Sequence, residues 1–140
     1  MLLGEFRHSL DAKGRVFLPS RWREELATGV VVTKGLEGCL LVMTKQRFSE
    51  VAERLHELPL NRKTNRDYSR LFFSGASEER VDSQGRMSIP PALREFGGLG
   101  KEVVLVGVSD RAEIWDRATW SEYQSGVEEQ YEQIAEQIEL

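Results

Sequence analysis

Two short stretches of this 140-residue chain bring together residue types suited to gripping an anion: Leu10-Asp11-Ala12-Lys13-Gly14-Arg15 and Val81-Asp82-Ser83-Gln84-Gly85-Arg86. In each, an Asp at the first position of a tight turn can accept backbone N–H groups, and the Gly supplies the positive φ that such a turn requires. The Arg that follows is a permanently charged fork of donors, matched to phosphate and to the edge of guanine. Two uses of the pair compete. Asp can cap the turn and hold Arg across it as a structural ion pair, or the Gly can open the backbone so that the guanidinium projects from a hairpin tip. Basic residues crowd the first copy, at Arg7, Lys13, Arg15, Arg21 and Arg23. The second has Gln84 where the first has Lys13, with Glu78 and Glu79 upstream. The first copy is therefore expected to carry more of the binding. Arg15 leads, Lys13 and Arg7 support it, Asp11 shapes the turn, and Arg86 with Asp82 forms the weaker mate.

Enzyme chemistry finds little here. His8 and His56 are the only histidines and neither has metal-ligand spacing. No nucleophile elbow, P-loop or dinucleotide fingerprint is present. Asp11 and Asp82 could in principle act as an acid pair, but nothing supplies a base or a metal. The single cysteine, Cys39, can form no intrachain disulfide and reads as a small buried hydrophobe. No catalytic role, cofactor or metal is expected. No apolar run approaches membrane-spanning length, and the opening residues lack a basic segment followed by an apolar core. The expected setting is cytoplasmic.

The net charge of −4 argues weakly against a nucleic-acid partner, but its distribution does not. Residues 1–70 hold 13 Lys/Arg and 9 Asp/Glu, a net of +4, and residues 71–140 hold 6 and 14, a net of −8. The local charge is what an anionic partner meets.

These motifs sit in an internal repeat. Residues 10–19 match 81–90 at an offset of 71, with Asp, Gly, Arg and Pro identical. The match runs on through Arg23-Glu24 and Arg94-Glu95. After a one-residue shift it takes Val31-Val32 to Val103-Val104 and Phe48-Ser49-Glu50 to Trp120-Ser121-Glu122. The expected organisation is a first repeat over 5–50, a connecting helical segment over 51–75, a second repeat over 76–122 and a C-terminal helix over 123–140. Each copy reads as a hairpin around the Asp turn (6–10 with 16–18; 80–81 with 87–89). A short helix follows Pro (20–27; 91–96, with Phe96 inward), then a second hairpin (30–33 with 40–43; 103–106 with 112–115). Thr44 is the expected cap of a helix running to residue 58, and Thr119 that of the last helix. In that last helix Tyr123, Val127, Tyr131, Ile134 and Ile138 form an apolar stripe, covering either the core or a neighbouring subunit. A copy of about 45 residues cannot bury a core alone, so two copies completing one pseudo-symmetric barrel are expected. The fold class is α+β: a mainly β, pseudo-twofold barrel flanked by short helices, with a C-terminal amphipathic helix.

The paired Leu/Val-Asp-x-x-Gly-Arg-x-x-x-Pro turns resemble those of the MraZ family of bacterial regulators. So do the opening Gly-Glu-Phe-x-His-Ser-Leu-Asp and Arg70-Leu71-Phe72-Phe73-Ser74-Gly75-Ala76. The resemblance spans nearly the whole chain. It implies two AbrB-like swapped-hairpin halves and assembly into a ring-shaped homo-oligomer. It also implies double-stranded DNA as partner, bound at short tandem promoter repeats upstream of the division and cell-wall gene cluster, usually to repress it, in a nucleoid-associated setting. The family's Asp-x-x-x-Arg motif maps onto Asp11 and Arg15 and onto Asp82 and Arg86. A second reading is an AbrB-like scaffold that binds a protein partner, as antitoxin-type relatives do, through its acidic tail.

Overall fold

A computed structural model describes residues 1–139. Along the chain run β1 (Glu5–Ser9), β2 (Arg15–Phe17), α1 (Ser20–Arg23), β3 (Val30–Lys34), β4 (Leu40–Thr44), α2 (Lys45–His56) and α3 (Lys63–Ser74). There follow β5 (Ser77–Glu79), β6 (Arg86–Ser88), α4 (Pro91–Phe96), β7 (Glu102–Gly107), β8 (Ala112–Asp116), α5 (Arg117–Glu128) and α6 (Tyr131–Glu136).

The two repeats interleave. One antiparallel sheet has the order β1-β7-β8-β4-β3-β5, and β2 pairs with β6 in a separate ribbon. Thus the first strand of each repeat adds to the second hairpin of the other. In the ribbon Arg15 faces Ser88, Val16 faces Met87 and Phe17 faces Arg86. Exchanging each residue for its repeat counterpart returns the same pairs, so a pseudo-twofold axis passes through Val16 and Met87. The ladder pairs Phe6↔Leu105 and Ser77↔Val32 are likewise counterparts. They align Val30-Val31, rather than Val31-Val32, with Val103-Val104.

The core lies between ribbon and sheet. Val16, Leu18, Trp22 and Leu26 from the first repeat meet Met87, Ile89 and Leu93 from the second, over Val30, Val32, Leu40, Val103, Leu105 and Ile114. On the other face of the sheet α2 and α3 cover β3 and β4, and α5 covers β7 and β8. Thr33 Oγ1 donates to the Phe72 carbonyl at 2.7 Å, tying α3 down.

Several expectations need correction. The Asp turns are not hairpins. The Asp11 N–H donates to the Arg15 carbonyl at 2.9 Å, after which β1 goes to β7 and β2 to β6, because pairing across the repeats buries Val16 and Met87. The β core is not a closed barrel. The sheet ends at β1 and β5, and the ribbon packs against it through side chains instead of hydrogen bonds. The strand before the second turn lies earlier than expected, at Ser77–Glu79. α1 is one turn shorter, and Phe96 points outward, with Lys34 over its ring at 5.3 Å. Asp116, not Thr119, caps the last long helix, its carboxylate accepting the Thr119 N–H at 3.4 Å. The expected single C-terminal helix is two helices that meet at Gln130; Leu140 lies outside the described residues.

Candidate nucleic-acid interface

Each Asp turn is built by one carboxylate. Asp11 Oδ1 accepts the N–H groups of Lys13 and Arg15, both at 2.9 Å, while its Oδ2 accepts Arg15 Nε at 2.7 Å. Asp82 repeats the pattern with Gln84 N–H, Arg86 N–H and Arg86 Nε, all at 2.9 Å. Both carboxyls are held below the usual carboxylate range, first by the backbone N–H of the paired Arg. The ion pair foreseen as the structural use of the motif is therefore present in both copies. It engages Nε and orients the guanidinium from one edge.

Arg15 and Arg86 are half-buried and lie on the outward side of the β2–β6 ribbon, opposite Val16 and Met87. Because Arg15 faces Ser88, Arg86 is its diagonal neighbour across the strands, a spacing of about 7–8 Å. The Arg86 guanidinium sits over the exposed Phe17 ring at 6.0 Å. Sequence reasoning treated the two arginines as belonging to separate tips; the fold makes them neighbours on one surface. Lys13 is exposed at the first turn, as is Gln84 at the second. Arg7 is also exposed, but on β1, whose ladder partner is β7, so it belongs to the sheet edge and not to the ribbon.

Two further arginines reach the turns: Arg23, expected only to add charge to the first copy, and Arg94, for which the sequence predicts no role beyond the repeat. Gly14 has φ +73°, and a Cβ there would lie 2.6 Å from Cζ of Arg94. Gly85 has φ +86°, and a Cβ there would lie 2.4 Å from Cζ of Arg23. The turn glycines therefore satisfy two demands, a left-handed backbone and room for a guanidinium from the other repeat. Arg23 Nε donates to the Leu18 carbonyl at 3.1 Å, while Arg94 Nε is buried without a partner among the described residues. Backbone bonds bind the same places: Leu18 N–H to Gly85 C=O and Ile89 N–H to Gly14 C=O, both 2.9 Å. The signal was in the repeat, since Arg23 and Arg94 are counterparts at the same offset as the two Asp turns.

His8 is held below its ordinary pKa by burial and then by the Arg23 charge. Burial, with Glu113 and Glu37 adding to it, pushes the Cys39 thiol up to about 12, so it stays protonated. Among the described residues no group of three His, Cys, Asp or Glu is placed to hold a metal, and no helix is long and apolar enough to cross a membrane.

Comparison with known proteins agrees with the duplication. A family model described as "MraZ protein, putative antitoxin-like" matches residues 1–71 and again 72–139. A protein of Moorella thermoacetica named transcriptional regulator MraZ is 48% identical over 138 residues, 99% of this chain and 96% of that protein. One of the same name from Arthrobacter sp. (strain FB24) is 50% identical over 123 residues, 88% and 87% of the two chains. Another from Desulforamulus reducens is 47% identical over 138 residues, 99% and 97%.

Proposed function

This chain belongs to the MraZ family, and from that premise we propose that it is a sequence-specific, double-stranded-DNA-binding transcriptional regulator. It acts in the cytoplasm at the nucleoid, as a ring-shaped homo-oligomer on tandem promoter repeats, and represses the division and cell-wall gene cluster. The interleaving of its halves supports an AbrB-like swapped-hairpin origin for the fold. The relatives above are named as transcriptional regulators, which supports the regulatory part of the reading.

The observation that carries the DNA reading is the ribbon. Arg15 and Arg86, each aimed by its own aspartate, lie together on the exposed side of a two-stranded element. A ribbon of this kind fits the major groove, where Arg reads guanine, and the outer edge of each guanidinium remains for a base edge or a phosphate. Lys13 adds charge at the first turn, and Arg94 and Arg23 bring the turn glycines of the opposite repeat under positive charge as well. Repetition around a ring would multiply modest contacts wherever operator spacing matches subunit spacing.

A duplex carrying the DNA upstream of the chain's own gene, titrated at several salt concentrations, tests the reading. Wild type should bind with a log–log salt slope of about −0.9 per phosphate contacted. Arg15→Ala should weaken specific binding about tenfold or more, in keeping with roughly 1–3 kcal/mol for a bidentate base contact, with the assembly size unchanged. Unaltered affinity in the variant, or a flat salt response in wild type, would refute the ribbon as the DNA surface.

A further inference from the structure

The outward side of the ribbon breaks the symmetry of its backbone. β2 and β6 alternate alike: Arg15 and Arg86 are half-buried, Val16 and Met87 buried, Phe17 and Ser88 exposed. Side chains two apart on a strand share a face, so Arg15, Phe17, Arg86 and Ser88 together make the outward surface. The register sets Arg15 against Ser88 and Phe17 against Arg86. Phe17 and Ser88 are repeat counterparts at the offset of 71. One arginine therefore faces an aromatic ring and the other a small hydroxyl.

Folding does not account for that ring. Phe17 is 44% exposed and lies outside the core cluster. The ribbon forms without an apolar residue at the equivalent place, as Ser88 shows. The ring adjoins both charged groups of the surface, with Arg15 two residues back on its own strand and Arg86 across from it. The Arg86 guanidinium lies 6.0 Å from the ring centre, within cation–π reach. Arg86 is thus held twice, at Nε by Asp82 and beside Phe17, whereas Arg15 is held at Nε by Asp11 and faces no ring.

In the major groove the C5-methyl of thymine is the apolar group on a base edge, and phenylalanine is one of the side chains that contact it. We infer that Phe17 determines specificity: its ring packs on a thymine methyl beside the base that Arg86 reads, and it steadies the Arg86 guanidinium there. The inference rests on the DNA reading above and adds to it a base, thymine, that the arginines alone do not select. Because Ser88 presents no ring, the thymine belongs to one flank of the arginine-read bases and not to both.

Removing methyl groups one at a time tests it. The duplex upstream of the chain's own gene is prepared with single deoxyuridine-for-thymidine replacements, each of which deletes one methyl and leaves base pairing intact. Wild type should lose about fourfold in affinity at one thymine of a bound repeat, the effect of one methyl-sized apolar group left unburied, and keep its affinity at the others. Phe17→Ser, which copies the second repeat, should bind the thymine and uracil duplexes equally, and Phe17→Leu should retain part of the discrimination. Arg15→Ala should weaken binding to both duplexes and preserve their ratio. Should Phe17→Ser fail to fold, the uracil series on wild type and Phe17→Leu decides. A wild type indifferent to every uracil, or a methyl effect that survives in Phe17→Ser, would overturn the inference and leave the ribbon as a DNA surface. A wild type that binds none of these duplexes would overturn both.

Discussion

Asp11 and Asp82 each organise a turn with one carboxylate, and the charge of that carboxylate is what holds Lys13, Arg15, Gln84 and Arg86 in place. Their titration lies lower than usual chiefly because the charged form accepts the backbone N–H of the paired arginine. A lowered pKa means that the turn is favoured at every pH above the ordinary carboxylate value of about 3.9 and is lost as pH falls through the lowered one. The Lys13 and Arg15 amide resonances should therefore stay constant from neutral pH down to that value and shift only below it. Asp11→Asn should abolish the acid shift at the first turn while leaving the one at Gln84 and Arg86. An amide shift centred at or above the ordinary value would contradict this account. The Asp–Arg pair and its likeness to the second copy could be read from residue types alone. The company of Arg23 and Arg94 could not, because a glycine's tolerance for an incoming guanidinium has no mark in local sequence. That company also revises the charge argument. The first repeat is the more basic in sequence, yet it lends Arg23 to the second turn and receives Arg94 at its own.

Elements were recoverable where the pattern is local and missed where the partner is remote. The start of α2 and its Thr44 cap follow from the apolar stripe and the capping residue, as expected, while the helix stops at His56, two residues before the expected end at Leu58. The expected pairing of β1 with β2 fails because alternation marks a strand without saying which strand it meets. The second helix cap was misjudged for a different reason. A threonine near the start of the stripe at Tyr123 drew attention, although the offset that aligns Phe48 with Trp120 also aligns Thr44 with Asp116. Asp116 further accepts the Gly100 N–H at 3.0 Å, so it ties the loop before β7 to the helix that follows β8. Asp116→Ala should cost about 0.5–2 kcal/mol of stability, the usual range for losing an N-cap, read as a lowered denaturant midpoint with unchanged slope. Thr119→Ala should stay within about 0.5 kcal/mol of wild type, as surface changes do. The reverse order of the two effects would reinstate Thr119 as the cap.

At the scale of the molecule, interleaving decides what can fold. Every strand of the first repeat's Asp turn finds its ladder partner in the second: β1 on β7 and β2 on β6. The core is divided the same way, with Val16, Leu18 and Trp22 packing in one cluster with Met87, Ile89 and Leu93. Neither half encloses an apolar core by itself, and a unit of this size without its mate buries too little surface to offset chain entropy. A fragment of residues 1–75 should therefore be unfolded as a monomer. If it gains structure, it should do so with concentration, two copies pairing β2 with β2 about the axis that Val16 and Met87 now occupy. Adding residues 76–140 should recover the cooperative thermal transition and the native circular dichroism of the intact chain, as a one-to-one complex of fragments. A 1–75 monomer that melts cooperatively at micromolar concentration would show that the repeat is two adjacent domains, and it would remove the physical reason for placing Arg15 and Arg86 on one ribbon. Interleaving also bears on the division of charge between the halves. Because each turn is finished by the other repeat, the net +4 and −8 of the linear halves do not by themselves give the charge around either turn. The imbalance falls instead on the helices outside the shared core, where α3 is basic and the α5–α6 tail acidic.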